Sequence, residues 1–284
     1  MTHDISRRMF LGSLSLPLLV SGAAPAASPV GCQANAWPLK AGDFAALLDV
    51  FRKAKQLGYV GCECNIRFVQ DQFARAAEAR KEIEATGVQF IGPHNSMANA
   101  KSADALAKAA AGAAAIGALR MVMSGAGLSP EGKFEASALK DKAVELERLG
   151  KICQQNGIRL AYHNHNPEFA NHNAEIEGLA KSTSAELVDF LMDAGHGTLG
   201  GGDPAEFMSR NSKRIFGCHI KTFHGKDEQK PLGQGDFGFE ALAAAIKQTG
   251  WKGWIISEEG GNPRYANSAA LEPDRQYIRK VFGV

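Results

Sequence analysis

Apolar positions along the chain switch repeatedly between two patterns, a short near-continuous run and a longer run at helical spacing. The run "VGCQAN" precedes "DFAALLDVFRKAKQLG", in which Phe44, Leu47, Leu48, Phe51 and Ala54 share one helical face and Gly58 supplies a left-handed stop. "YVGCEC" is followed by a helix over Asp71 to Thr86 closed by Gly87, and "VQFIGPH" by "ADALAKAAAGAAAIG". "LRMVMSG" precedes a helix over Ala136 to Asn156 closed by Gly157, and "IRLAYHNH" a shorter one from Ala174 to Lys181. "ELVDFLMD" is the sixth strand, the glycine-rich "GTLGGGD" reads as a flexible loop, and Asp203 with Pro204 opens the next helix. "RIFGCHIK", the helix in "FGFEALAAAIKQTG", the strand "GWIISE" and a last helix from about Pro273 to Phe282 complete the series.

Eight strand-then-helix units predict an α/β fold, a closed (β/α)8 TIM barrel forming a single domain over residues 27–284. An open doubly wound sheet is the competing arrangement. No G-x-G-x-x-G follows the first strand and no P-loop is present, which removes that arrangement's usual nucleotide sites.

Residues 1–26 break the pattern. Arg7 and Arg8 precede Met9, Phe10, a modest apolar stretch and a small-residue exit at Ala24, Pro25 and Ala26, the layout of an export signal too short to span a bilayer. The Ser-Arg-Arg-x-Phe-Leu order resembles a twin-arginine signal, which implies the Tat translocase as a transient partner and a periplasmic address. No second apolar run is long enough to cross a membrane. A formal net charge of +2, without a basic stripe, argues against nucleic acid as a partner. Five cysteines make an odd number with no C-x-x-C pair, and Cys62 and Cys64 share a strand face, so the cysteines read as buried small hydrophobes.

Catalytic groups of a TIM barrel gather at the C-terminal ends of its strands. In this chain those ends carry Glu63, His94, His163 with His165, Asp193 with His196, His219 with Lys221, and Glu258 with Glu259. Side chains two apart share a strand face, so His163 and His165 point together, as do His219 and Lys221. A ring of His163, Asp193, His219 and Glu258, from four neighbouring strands, offers the mixed imidazole and carboxylate donors of a divalent-metal site with open positions. Each member also has a plain structural reading. Asp193 suits a cap of the turn at Gly195, His94 a loop hydrogen bond, and Lys221 and Glu258 or Glu259 ordinary ion pairs. Tyr162 and Trp254 fit a core role or a pocket wall equally, and His172 and His224 read as exposed loop residues.

"AYHNHNPEF", "MDAGH", "CHIKTFHG" and "IISEE" resemble, in order and spacing, motifs of the xylose isomerase-like TIM barrels of the sugar phosphate isomerase/epimerase group. The resemblance implies His163, Asp193, His219 and Glu258 as ligands of a divalent metal ion such as Mn, Co, Zn or Mg. It implies Glu168 and Glu258 as the acid/base pair, and His196 as the active-site histidine of the Asp-x-x-His element. Glu63, His94, His165 and Lys221 then line the substrate pocket. Ketose epimerases of the group carry glutamate where this chain has His163, so the ligand set departs from theirs. Homo-oligomers are common among such barrels.

The implied reaction removes a proton next to a carbonyl and stabilises the enediolate by metal and cation. Return of the proton gives an isomerase or epimerase acting on a sugar or keto-sugar. Loss of a β-oxygen instead gives a dehydratase or a 3-keto-glycoside-cleaving lyase. A nuclease of the endonuclease IV type would need basic DNA-facing loops. A non-catalytic periplasmic sugar-binding barrel is the alternative from outside enzymology.

Overall fold

The computed structural model describes residues 27–100, 102–260 and 267–284, so the export-signal reading of residues 1–26 lies outside the described residues. Eight parallel strands close on themselves: β1 (Val30–Gln33), β2 (Gly61–Asn65), β3 (Gln89–Ser96), β4 (Arg120–Ser124), β5 (Arg159–His163), β6 (Val188–Asp193), β7 (Ile215–Ile220) and β10 (Trp254–Ser257). Closure is made by β1, which pairs with β2 through Cys32 and Cys62 and with β10 through Val30 and Ile255. Every barrel strand lies where the apolar pattern puts one, and the open-sheet alternative is excluded.

The helices around the barrel are α1 (Phe44–Gln56), α2 (Ala76–Glu84), α3 (Ala103–Ala115), α4 (Ala136–Gln155), α5 (Ala170–Ser182), α6 (Ala194–Leu199), α7 (Pro204–Asn211), α8 (Glu240–Thr249) and α9 (Leu271–Phe282). Their apolar stripes pack on the outward faces of the strands. Leu47 and Phe51 of α1, Leu146 and Leu149 of α4 and Phe207 of α7 are fully buried there, each stabilising the fold by roughly 1.5–3 kcal/mol. All five cysteines are free and buried, as the composition suggests.

Inside the barrel, Ile91, Val122, Ala161, Leu191 and Ile256 form a closed apolar layer. Below it, the inward residues two positions earlier on β4, β5 and β6 form an ionic floor. Asp189 accepts from Arg120 Nε at 2.8 Å and from Arg159 at 2.6 Å, and the Arg120 guanidinium lies 4.4 Å from the Phe216 ring centroid. Glycine makes room for this filling. A Cβ on Gly61 would sit 2.4 Å from Trp254 Cζ3, which places Trp254 in the barrel interior.

Three local features depart from the sequence pattern. Between β7 and β10 the chain forms an antiparallel hairpin, β8 (Thr222–His224) with β9 (Glu228–Lys230), that the pattern does not announce. Residues 197–199 of "GTLGGGD" belong to helix α6 rather than to a loop, because Asp193 Oδ1 caps that helix by accepting from His196 N at 2.8 Å, while residues 200–203 stay outside helix and strand. Ahead of the fifth helix, Asn171, His172 and Asn173 form a turn that is left-handed throughout, at φ 51°, 59° and 62°, and right-handed helix starts at Ala174, where the sequence pattern puts it. Asparagine tolerates that region better than most residues, and the turn is tied down. Asn171 donates to Gly132 O, and Asn173 exchanges two hydrogen bonds with the backbone of Asp203.

Candidate active site

Strand register brings the ring together. His163 and Asp193 end β5 and β6, Asp193 pairs with His219 on β7, and Glu258 follows the last residue of β10. One potential ligand atom from each of His163, Asp193, His219 and Glu258 lies within 4.8 Å of the others, and all four residues are buried. The His163 and His219 rings are 4.9 Å apart between centroids.

Each nitrogen of His219 meets a carboxylate. Nδ1 is 2.7 Å from Glu258 Oε2 and Nε2 is 2.7 Å from Glu63 Oε2. Glu63 Oε2 also accepts from His94 Nε2 at 2.8 Å and Gln33 Nε2 at 3.3 Å. Lys221 Nζ sits 2.8 Å from Asp193 Oδ2 and 2.9 Å from Glu258 Oε2. Glu63 and His94 therefore hold the back of the ring, while Lys221 bridges its two carboxylates. His94 reaches this position through a bulge. The β2–β3 register shifts between Cys62 and Glu63, so Ile91 and His94 both face inward although three residues apart.

These contacts set the charges. Burial alone would raise the Glu63 carboxyl, but the imidazoles of His219 and His94 outweigh it and hold it at about 2. Burial likewise opposes the charge on His219, yet Glu258 and Glu63 lift it to about 10. Glu258 is held well below the usual carboxylate range because Lys221 and His219 overcome its burial, and Lys221 is raised because Asp193 and Glu258 overcome its own. His163 and His196 go the other way. Burial pushes both down, His196 to about 4, so both are neutral at neutral pH.

The residues fit a divalent cation. The donors are two imidazoles and two carboxylates, a set suited to Zn or a neighbouring transition ion. His163 is neutral, and its Nδ1 is buried with no hydrogen-bond partner, as is Glu63 Oε1. Three buried carboxylates, Glu63, Asp193 and Glu258, face Lys221 and a protonated His219. Replacing that proton by a dication improves the balance. Glu63 then serves as the outer partner that fixes the His219 tautomer, as metal-bound histidines generally require.

Four polar residues that strand-end reasoning did not single out support the site. Asn164 donates to Asp193 O and accepts from Asp193 N, which locks the end of β6. Asn166 Oδ1 is 2.6 Å from His196 Nδ1 and so assigns the ring's other nitrogen, Nε2, to the pocket. Gln229, on the unforeseen hairpin, donates to Glu258 O at 2.6 Å. Gln33 reaches Glu63. The asparagines alternate with the histidines in "HNHN", and that alternation is the signal that could have found Asn164 and Asn166.

Glu168 does not join the ring. It is fully buried on the short 310 turn Pro167–Phe169, where its Oε1 accepts from Tyr162 OH at 2.6 Å and its Oε2 from His165 N at 3.2 Å. Lys142 Nζ lies 3.7 Å away and pairs closely with Glu175. This network packs behind β5, on the outward face that carries Tyr162, and Glu168 lines neither cavity at the site. Through Oε2 it ties down the His165 loop. Glu259, on the other face from Glu258, turns to buried Asp274; burial and that neighbour push it up to about 9. His224 is exposed and pairs with Asp236.

Two cavities open onto the ring. One, of about 320 Å³, is lined by His165, Asn166, His196, Leu199, Lys221, Phe223, Lys226 and Gln229. The other, of about 280 Å³, is lined by Asn35, Asn65, Ile66, His94, Asn95, Ser96, Asn99 and Ser124. His163, His165 and Glu258 belong to both. A larger cavity of about 580 Å³, between α8 and α9, lies away from this chemistry.

A family model described as xylose isomerase-like TIM barrel matches residues 51–281. An inosose dehydratase of Lacticaseibacillus casei is 31% identical over 182 residues, 54% of this chain and 61% of that protein, so the match spans less than two thirds of its length. An inosose dehydratase of Geobacillus thermodenitrificans is 25% identical over 259 residues, 80% of this chain and 87% of that one. Among solved structures, the IolI protein with a zinc atom bound aligns with a TM-score of 0.72 at 15% identity, over 90% of this chain and 98% of that chain, a likeness of fold alone.

Proposed function

Because the chain belongs to the xylose isomerase-like TIM barrel family, we propose that it is a divalent-metal-dependent carbon–oxygen lyase that removes a β-oxygen from a keto-sugar or cyclic keto-polyol. The observation that supports this reading is that Glu258 is the one carboxylate lining both cavities, while Glu168 is engaged by Tyr162 OH and His165 N. Epimerisation by two opposed carboxylates loses its second member. Elimination needs only one base and a proton donor for the leaving oxygen. The similarity to inosose dehydratases supports the same choice.

A metal ion held by His163, Asp193, His219 and Glu258 would supply a Lewis acid for the substrate carbonyl. The chain's own residues do the rest. Glu258 Oε2 is held by His219 and Lys221, which leaves Oε1 to accept the α-proton. The Lys221 ammonium, kept protonated by Asp193 and Glu258, faces the negative charge that then develops on oxygen. His196, neutral and anchored by Asn166, presents Nε2 as an acceptor that orients a substrate hydroxyl. His165 lines both cavities and gives its proton to the departing oxygen.

Incubation of the metal-loaded protein with inososes and keto-sugars in heavy water tests this. A product lighter by one water supports elimination, whereas a product of unchanged skeleton that has gained deuterium makes the protein an epimerase or isomerase. Absence of both on every keto-sugar and keto-polyol removes the reading and leaves the sugar-binding barrel. We further propose action in the periplasm, on the strength of the Arg7-Arg8 pattern. A reporter that is active only after twin-arginine export, fused behind residues 1–26, tests it.

A further inference from the structure

Of the five cysteines, two are direct neighbours across a strand pair. Cys32 on β1 is the register partner of Cys62 on β2. Cys64 stands opposite Pro93, Cys218 opposite Met192 and Ile255, and Cys153 lies on α4. Register partners on parallel strands share a face, and the residues on either side of them take the other one. Those flanking residues point inward. A Cβ on Gly31 or Gly61 would meet Ile91 inside the barrel, and Gln33 donates to Glu63 behind the ring. Cys32 and Cys62 therefore point outward together, fully buried in the layer between barrel and helices. The two side chains interact directly there, and Cys62 Sγ also donates to Glu63 O at 3.7 Å.

The backbone spacing suits a covalent link. Neighbouring strands run about 4.7–4.9 Å apart, inside the range of about 4.4–6.8 Å that a disulfide spans between Cα atoms. The position is also the seam of the fold. β1 closes the barrel by pairing with β2 on one side and β10 on the other, and Cys32 has a register partner on both, Cys62 and Ser257. A link at Cys32 would keep β1 on β2 even where their hydrogen bonds open, one residue from the Gln33–Glu63 contact at the back of the ring.

We propose that Cys32 and Cys62 are a redox site, forming under oxidising conditions a reversible disulfide that staples β1 to β2 at the closing seam. The reaction is thiol–disulfide exchange with a small-molecule disulfide. One thiolate attacks the reagent and releases one reagent thiol, and the other displaces the second. Two S–H bonds of the chain are lost and one S–S bond forms, while the two electrons and two protons reduce the reagent's S–S bond to two thiols. Burial, with Cys32 beside it, pushes the Cys62 thiol up, so the closed barrel holds little thiolate and exchange waits on opening of the seam. The periplasmic address proposed above is an environment in which such bonds persist. The site is independent of the reaction catalysed.

The experiment exposes the reduced full chain to oxidised glutathione just below its melting midpoint. Free thiols are then blocked with iodoacetamide, counted by intact mass, and the linked peptides are mapped by mass spectrometry. The first product is expected to keep three free thiols and to join Cys32 to Cys62. Cys64→Ser is expected to form the same link, and Cys62→Ser to form none. Should Cys62→Ser not fold, Cys32→Ala is the second variant, with the same expectation. Five thiols that persist, a first link that omits Cys32, or a glutathione adduct that stays on either cysteine overturns the site. The link closes a loop of about 30 residues, so the oxidised chain is expected to melt about 5–10 °C higher than the reduced one, and dithiothreitol to reverse the shift. A mapped Cys32–Cys62 link with an unchanged or lower midpoint overturns its role as a staple.

Discussion

Glu63→Gln is the perturbation whose size the structure defines best. Glu63 has no solvent exposure, and its Oε2 accepts from His219 at 2.7 Å, His94 at 2.8 Å and Gln33 at 3.3 Å. Burial opposes its charge, and the two imidazoles outweigh burial, so its carboxyl stands at about 2 rather than 4.5. That difference corresponds to about 3 kcal/mol of folding stability. Because the folded-state value is the lower one, the contribution is present above about pH 4.5 and lost as pH falls towards 2. Glutamine keeps the shape and an acceptor oxygen but removes the charge. The metal-free variant is therefore expected to melt up to about 6–12 °C lower at pH 7, with the gap to wild type closing as the medium is acidified. A second effect is independent of the first. His219 Nε2–H loses its charged acceptor, and outer-partner losses of this kind weaken metal binding by roughly 10–100-fold. Calorimetric melts of the metal-free proteins and competition with a chelator measure the two effects. A variant that melts like wild type at pH 7 and binds metal as tightly would refute the assignment of Glu63 as the partner that fixes His219.

Glu168→Gln is expected to keep its metal and retain turnover within about tenfold, while destabilising the fold by roughly 1–3 kcal/mol through the weakened bonds to Tyr162 and His165; a thousandfold loss of turnover at full metal occupancy would return Glu168 to the chemistry. His219 is raised to about 10, so its stabilisation of the metal-free chain is complete below about pH 6.5 and lost as pH rises through 10. Metal uptake at pH 8 is accordingly expected to release about one proton per chain, read by titration calorimetry in buffers of different ionisation enthalpy; uptake without proton release would contradict the raised His219. Gly61→Ala drives a methyl to 2.4 Å from Trp254 inside the barrel and is expected to cost about 1–3 kcal/mol in a denaturant melt, whereas an unchanged midpoint would mean that the barrel interior yields freely.

The barrel was legible because its eight strands are short apolar runs whose inward faces must be filled, and runs such as "ELVDFLMD" and "RIFGCHIK" leave no other periodicity. The ring was legible for the same reason. Residues two apart share a face as long as the strand continues, so His219 predicts Lys221 and the end of β6 predicts Asp193. That rule stops where the strand stops. Glu168 lies on a 310 turn whose direction is set by Tyr162 and Lys142, contacts 6 and 26 residues away in sequence, and no local pattern encodes them. His94 reaches the pocket only because a bulge reverses the alternation of β3, which the spacing of "IGPH" does not reveal. Helix α6 contains Gly195 and Gly197 and has little propensity of its own. It forms because Asp193 caps it, and the same carboxylate therefore serves both the cap and the ring through its two oxygens. The plain reading of Asp193 as a cap therefore holds, and it leaves the second oxygen facing the ring.

The central claim is that His163, Asp193, His219 and Glu258 hold a divalent metal ion. Metal content of the purified chain by elemental mass spectrometry, beside a His219→Ala variant shown by circular dichroism to be folded, tests it most directly. About one ion per chain in the wild type after reloading, and almost none in the variant, is the predicted result. Equal metal in both proteins, or none in the wild type after exposure to Mn, Co, Zn and Mg, would contradict the account.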